Sequence, residues 1–202
     1  MFLKSQPPLV LASTSAYRRA LLERLGIPFT LAASGVDETR QPGESPLALV
    51  GRLARAKALG VAAAHPGAWI IGSDQCAVHD GAGPDAPLLG KPGTAAHCIE
   101  QLLGCSGRTL SFLTAVAVLR GPDAGGIEFI DCTRVRFRVL DRATVERYVA
   151  REAPLDCAGG FKSEGLGISL CERIDSEDPT ALVGLPLIRT AAALRGAGFQ
   201  VP

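Results

Sequence analysis

Aromatic side chains are scarce in this chain of 202 residues: Phe, Trp and Tyr together make up 5%, with one Trp and two Tyr. Single-stranded nucleic-acid binders stack bases on aromatic rings, so this poverty counts against that class. An excess of charge is also missing. Lys and Arg number 21 against 20 Asp and Glu, a net +1. That balance excludes a partner held by bulk electrostatics, such as duplex DNA or an anionic membrane, while leaving room for a small polyanion gripped by a few placed cations. No apolar run reaches the ~18–20 residues that a bilayer span needs. The mean hydropathy of +0.22 comes largely from Ala, Gly and Leu spread along the chain. Six cysteines (Cys76, Cys98, Cys105, Cys132, Cys157 and Cys171) form no C-x-x-C pair, and His65, His79 and His97 stand at no ligand spacing. Neither a disulfide scaffold nor a zinc site is expected; scattered, reduced thiols suit a cytoplasmic protein. Met1 to Pro8 turns polar too quickly for a signal peptide. No repeat and no long linker divides the chain, so residues 1–202 are expected to form one domain.

What is present alternates between strand and helix patterns. Leu9 to Ala12 is a short buried-type strand running into Ser13-Thr14-Ser15, a cluster of natural N-caps. A helix carrying Leu21, Leu22 and Leu25 follows and stops at Gly26. Ser45-Pro46 opens a second helix, striped by Leu49, Val50 and Leu53. Trp69 to Ile71 predicts a short strand with Asp74 just past its end, and Thr94 caps a third helix with Gly104 after its last turn. Leu110 to Leu119 and the strict alternation of Val135, Phe137 and Val139 with Arg134, Arg136 and Arg138 predict two strands. The turn-rich stretch from Gly121 to Gly126 joins them as a hairpin. Then come a helix around Val145, Tyr148 and Val149, a glycine-rich loop from Ala158 to Gly167, a strand near Ile168 to Leu170, and a last helix after Pro186. The expected class is α/β, a mixed β-sheet flanked by helices.

Four segments carry candidate chemistry, and each has a plainer alternative. Ser13-Thr14-Ser15 before a helix with Arg18 and Arg19 offers unpaired N–H groups and arginine forks to phosphate, yet also fits a capped helix with a solvated basic face. Gly72-Ser73-Asp74-Gln75 places a carboxylate where open α/β sheets bind ligands, but an Asp there also makes a turn. Leu89-Gly90-Lys91-Pro92 mimics the tail of a P-loop, which fails because Asp85 stands where the earlier Gly is required. Gly159 to Gly167 brings Lys162 and Glu164 on a loop whose backbone can approach a ligand, and its Phe161 and Leu166 argue against a flexible linker. Gly104-Cys105-Ser106-Gly107 is not a G-x-S-x-G elbow, and Glu38 and Lys57 are ordinary polar residues on their own. From the residues alone, the expectation is an α/β enzyme that handles phosphate.

The ordered series Leu11-Ala12-Ser13-Thr14-Ser15-Ala16-Tyr17-Arg18-Arg19, Ser73-Asp74-Gln75, Leu89-Gly90-Lys91-Pro92, Cys157 to Gly167 and Asp178 to Leu187 resembles the Maf family of nucleotide pyrophosphatases, from about residue 9 to about residue 190. The Ser-Asp-Gln and Phe-Lys-Ser-Glu-Gly forms are similar to the branch acting on 7-methyl-GTP rather than the dTTP/UTP branch. The resemblance implies a Maf/inosine triphosphatase-like fold with two lobes around a deep cleft. It also implies a divalent metal cation (Mg2+ or Mn2+) and hydrolysis of a phosphoric anhydride bond, releasing diphosphate. Position by position, it makes Asp74 the proton acceptor, with Asp74 and Glu38 as metal ligands. Ser13, Arg18, Lys57 and Lys91 become binders of the triphosphate, and Tyr17, Gln75 and Glu164 the selectors of the base. Ala16 stands where the family usually has Pro, Tyr17 where this branch often has Trp, and Gly83 to Ala86 looks like a small insertion. The alternatives are a dTTP/UTP pyrophosphatase of the same family and a non-catalytic, nucleotide-binding regulator of septum formation. The expected partner is a nucleotide, with no nucleic acid and no membrane, and a homodimer is left open.

Overall fold

The computed structural model describes residues 6–121 and 125–202, so Met1 to Ser5 and the Pro122 to Ala124 part of the expected turn lie outside it. Six strands form one mixed sheet in the order β2-β1-β3-β4-β5-β6. They are β1 (Leu9–Leu11), β2 (Thr30–Leu31), β3 (Trp69–His79), β4 (Thr109–Leu119), β5 (Gly126–Phe137) and β6 (Cys171–Asp175). β1 pairs in parallel with β2 and β3, while β3, β4, β5 and β6 run antiparallel in turn. The helices are α1 (Ala16–Glu23), α2 (Pro46–Ala62), α3 (Ala95–Cys105), α4 (Arg142–Glu152) and α5 (Leu187–Gly196). The expected caps are in place: Ser15, Ser45 and Thr94 each accept an N–H from the first turn of α1, α2 and α3.

Four expectations are corrected. Asp74 lies inside a strand rather than past its end, because β3 stays paired with β4 from Ile70↔Leu119 to His79↔Leu110. Ile168 to Leu170 belongs to a 3-10 turn, Leu166–Leu170, and the strand begins at Cys171. Gly104 is inside α3, whose C-cap is Ser106. β5 stops at Phe137, leaving Val139 exposed. Elsewhere the β5 alternation holds, with Val135 and Phe137 fully buried and Arg134 and Arg136 outside, near Asp80 and Glu172.

The two-residue period of β3 and β4 separates the core. Ile70, Cys76, Leu113, Ala115 and Ala117 face α2, packing with Val50, Ala54 and Ala58. The opposite face carries two clusters. Leu11, Ile71, Val116 and Val118 pack under α1 and α5, and Ala77, Leu110, Phe112 and Phe137 under α3 and α4. Between them lie the polar Ser73, Gln75 and Thr114, and here the two lobes part. β1 leaves β3 after Leu11↔Ile71, and the next segment along that edge is Leu89, bridged to Ala77. The intervening edge of β3 borders a cleft.

α2 lies hard against Gly72. A Cβ there would sit 2.1 Å from the Ala54 carbonyl oxygen and 2.7 Å from the Ala58 nitrogen, both backbone atoms with no room to yield. Gly72→Ala is expected to push α2 outward at a cost of about 2 kcal/mol. The melting temperature should fall by roughly 4–8 °C in a chain of this size, as calorimetry would show.

Candidate active site

The cleft has a volume of about 570 Å³ and draws its walls from both lobes. Ser13 to Arg18 form one wall, where β1 turns into α1. Ser13 Oγ accepts the Ser15 N–H at 3.2 Å, and Ser15 Oγ accepts that of Arg18 at 3.4 Å, which fixes the turn. Among the described residues, the Ala16 and Tyr17 amides of the first turn find no acceptor. An anion at this helix start would meet free N–H groups and the positive end of the helix dipole.

On the floor, the Lys57 ammonium lies 2.7 Å from Asp74 Oδ1 and 2.7 Å from Glu38 Oε1. Lys57 and Asp74 are each 7% exposed, whereas Glu38 opens to solvent. Among the described residues no donor reaches Asp74 Oδ2, so that oxygen is left for a ligand in the cleft. Burial raises the Asp74 pKa above its ordinary value, with Glu38 adding and the Lys57 and Arg18 charges opposing. At Glu38 burial also pushes upward, but the Lys57 bond and the fields of Lys57, Lys91 and Arg18 outweigh it and leave that carboxyl below its ordinary value. Two of the three Lys57 protons are taken by carboxylates, leaving one for a substrate oxygen.

Opposite, Arg18 Nε donates to the Gly184 carbonyl at 3.0 Å, and Ser73 Oγ donates to the same oxygen at 3.1 Å. That carbonyl is delivered by the Asp178 to Leu187 segment. Asp178 Oδ1 accepts the Thr180 N–H, and its Oδ2 accepts the Ile188 N–H of α5 at 2.6 Å. The fifth motif is therefore a bracket that holds a wall rather than a set of reacting groups.

Tyr17, Gln75 and Glu164 all line the cleft. Burial, reinforced by the neighbouring Cys157, pushes the Tyr17 phenol up to about 12, so it stays neutral. The Gln75 amide nitrogen lies 2.8 Å from Thr114 Oγ1 and 3.0 Å from the Ala181 carbonyl. These contacts occupy its NH2 group and leave its carbonyl oxygen without a donor among the described residues. Glu164 is exposed on its loop, and Lys91 is exposed on the segment bridged to β3, where Gly159 N–H bonds the Leu89 and Gly90 carbonyls. Thus Ser13, Tyr17, Arg18, Glu38, Lys57, Asp74, Gln75, Lys91 and Glu164 border one space. Sequence reasoning overlooked Thr114, whose signal was a hydroxyl inside an otherwise apolar strand. It also overlooked the Gly184 carbonyl and Cys157.

A family model described as Maf-like protein matches residues 8–197. The chain belongs to the Maf family. A curated relative from Xanthomonas oryzae pv. oryzae, named 7-methyl-GTP pyrophosphatase, is 55% identical over 97% of this chain and 100% of its own length. A Pseudomonas putida relative of the same name is 52% identical over 96% of this chain and 99% of its own. Among solved structures, a nucleoside-triphosphatase / dITP/XTP pyrophosphatase from Mycobacterium abscessus aligns with 16% identity and a TM-score of 0.42, over 95% of this chain and 96% of that one. No group of three or more His, Cys, Asp or Glu side chains converges among the described residues. Glu38 and Asp74 nonetheless point at one ammonium, and hard carboxylate oxygens completed by phosphate oxygens and water are the donor set that Mg2+ and Mn2+ take. The residues fit such an ion as part of a substrate complex. Among the described residues, no helix is long and apolar enough to cross a membrane.

Proposed function

We propose that this Maf family protein hydrolyses a nucleoside triphosphate to the monophosphate and pyrophosphate, with 7-methyl-GTP as its preferred substrate. The observation that carries the chemistry is the buried Asp74 with one oxygen held by Lys57 and the other free, at the floor of a cleft rimmed by Arg18 and Lys91. The relatives named 7-methyl-GTP pyrophosphatase support the choice of base.

In this reading the Asp74 carboxylate accepts a proton from water as the water oxygen attacks the α-phosphorus. The bond from that phosphorus to the bridging oxygen breaks, and pyrophosphate leaves with the electron pair. Lys57, Arg18 and Lys91 are fixed cations positioned to stabilise the charge gathering on the leaving group. The α1 amides take phosphate oxygens. Glu38 and Asp74 would hold a divalent cation, Mg2+ or Mn2+, which supplies further positive charge at those oxygens. Methylation at N7 makes the guanine ring cationic, so stacking on Tyr17 gains about 0.5–2 kcal/mol. Glu164 accepts from the N1 and N2 groups of guanine.

Pyrophosphate release from 7-methyl-GTP, GTP, UTP, dTTP and CTP with Mg2+ tests this. Strong preference for 7-methyl-GTP is the expected result. Preference for UTP or dTTP would keep the chemistry and overturn the base assignment, and no turnover on any of them would leave a nucleotide-binding regulator. Glu164→Gln is expected to erode the preference for 7-methyl-GTP and GTP over UTP, dTTP and CTP by about tenfold or more, because a site built on matched hydrogen bonds rejects poorly matched ones strongly. Turnover of the other triphosphates should change less; an unchanged preference ratio would sink the role given to Glu164.

A further inference from the structure

Glu152 lies outside the cleft, at the last residue of α4, where a negative charge works against the helix dipole. Its carboxylate is fully engaged there. Oε1 pairs with the Lys162 ammonium at 3.0 Å, and Oε2 accepts the Leu166 N–H at 2.7 Å. The side chain is 12% exposed, and the Leu166 and Lys162 bonds hold its pKa below the ordinary value. Gly165 packs directly on this carboxylate, and a Cβ there would come within 2.5 Å of Oε2. One side chain thus spans the base of the loop that carries Glu164 into the cleft. The Lys162 ammonium, in turn, sits 5.7 Å from the centroid of the Tyr17 ring. Tyr17 and Glu164 border the cleft, so this ammonium stands beside a ring that faces the substrate space.

This arrangement sets a problem for a cationic base. The ring has one quadrupole, and a positively charged purine stacked on it would share it with this ammonium. Two unbalanced cations held about one ring repel each other at this short range. Glu152 removes that repulsion by pairing with the ammonium.

We propose that Glu152 is a positioning residue for base selection: by neutralising Lys162 beside Tyr17 and pinning the Glu164 loop, it lets the pocket accept a cationic base. The proposal rests on the substrate reading above. A neutral base on the same ring gains nothing from the pairing, so the effect is selective.

The test compares kcat and KM for 7-methyl-GTP and GTP in the wild type, Glu152→Gln, Lys162→Met and the double variant, with melting curves for each. The glutamine keeps an acceptor for the Leu166 N–H and loses only the charge. In Glu152→Gln, KM for 7-methyl-GTP is expected to rise about tenfold, with kcat and the GTP constants within about threefold of wild type. Adding Lys162→Met should return the preference ratio to within about threefold of wild type, since the unbalanced cation is then gone. Equal losses on both substrates in Glu152→Gln would show a merely structural residue and overturn the proposal. So would an unchanged ratio, or a double variant that fails to recover. A wild type that prefers UTP or dTTP overturns the substrate reading and this inference with it. A wild type that prefers 7-methyl-GTP beside an unresponsive Glu152→Gln overturns the inference alone.

Discussion

Asp74→Asn is expected to lower kcat for pyrophosphate release by about 10³-fold, within the range that removal of a positioned proton acceptor usually costs. The amide keeps the shape of the side chain and still offers Lys57 an oxygen, so the fold should survive. Circular dichroism and a melting curve within a few degrees of wild type check that point. KM should change much less than kcat, because the phosphates are held by Arg18, Lys91 and the α1 amides. The acid limb of the wild-type profile follows from the same carboxylate. Burial raises the Asp74 pKa, so the residue stays protonated, and unable to accept a proton, to a higher pH than an ordinary carboxyl near 3.9. Activity should therefore fall on acidification above that value, and Asp74→Asn should erase this limb. Near wild-type turnover in folded Asp74→Asn would remove Asp74 from the chemistry.

Lys57→Met is expected to damage both activity and stability. It leaves the buried Asp74 carboxylate facing Glu38 with no ammonium between them. Removing one partner of a buried pair costs about 3 kcal/mol or more, or roughly 6–12 °C in melting temperature. Turnover should drop at least about 10²-fold, since a fixed cation near the leaving group is lost. The sign of the pH dependence identifies the cause. Without Lys57 the folded-state pKa of Asp74 climbs further above its unfolded value, so the folded protein binds more protons than the unfolded chain. Stability in the variant is then greatest below the unfolded value and declines as pH rises through the folded one. The deficit against wild type should shrink on acidification toward the ordinary carboxylate range. A deficit that stays constant with pH would assign the loss to packing of the lysine stem instead.

Most helices were legible because their signals are local: Ser15, Ser45 and Thr94 occupy the caps predicted for them. β3 was legible only as far as Ile71. Gly72-Ser73-Asp74-Gln75 reads like a turn because its polar groups find partners far away in sequence, at Gly184, Lys57 and Thr114. The pairing with β4 that keeps this stretch extended has no trace in its own composition. Ile168 to Leu170 has a strand's apolar content, but the Leu166 N–H is held by Glu152 and a 3-10 turn follows. Within the site, Glu38 and Lys57 had no distinguishing neighbours and came only through the family resemblance. Their shared contact in space is the information a linear reading lacks.

Ser73, Asp74 and Gln75 are consecutive, yet the pleat of β3 sends Asp74 toward α2 and its neighbours toward the opposite face, where they meet Gly184 and Thr114. With the roles proposed above, the residue that performs hydrolysis and a residue that chooses the nucleotide are adjacent in the gene, yet they reach the one cleft from opposite faces of the strand. A substitution at Gln75 can redirect base preference without moving the carboxylate one position earlier. A scaffold wired this way can diversify its substrates by single changes while its hydrolytic machinery is inherited intact.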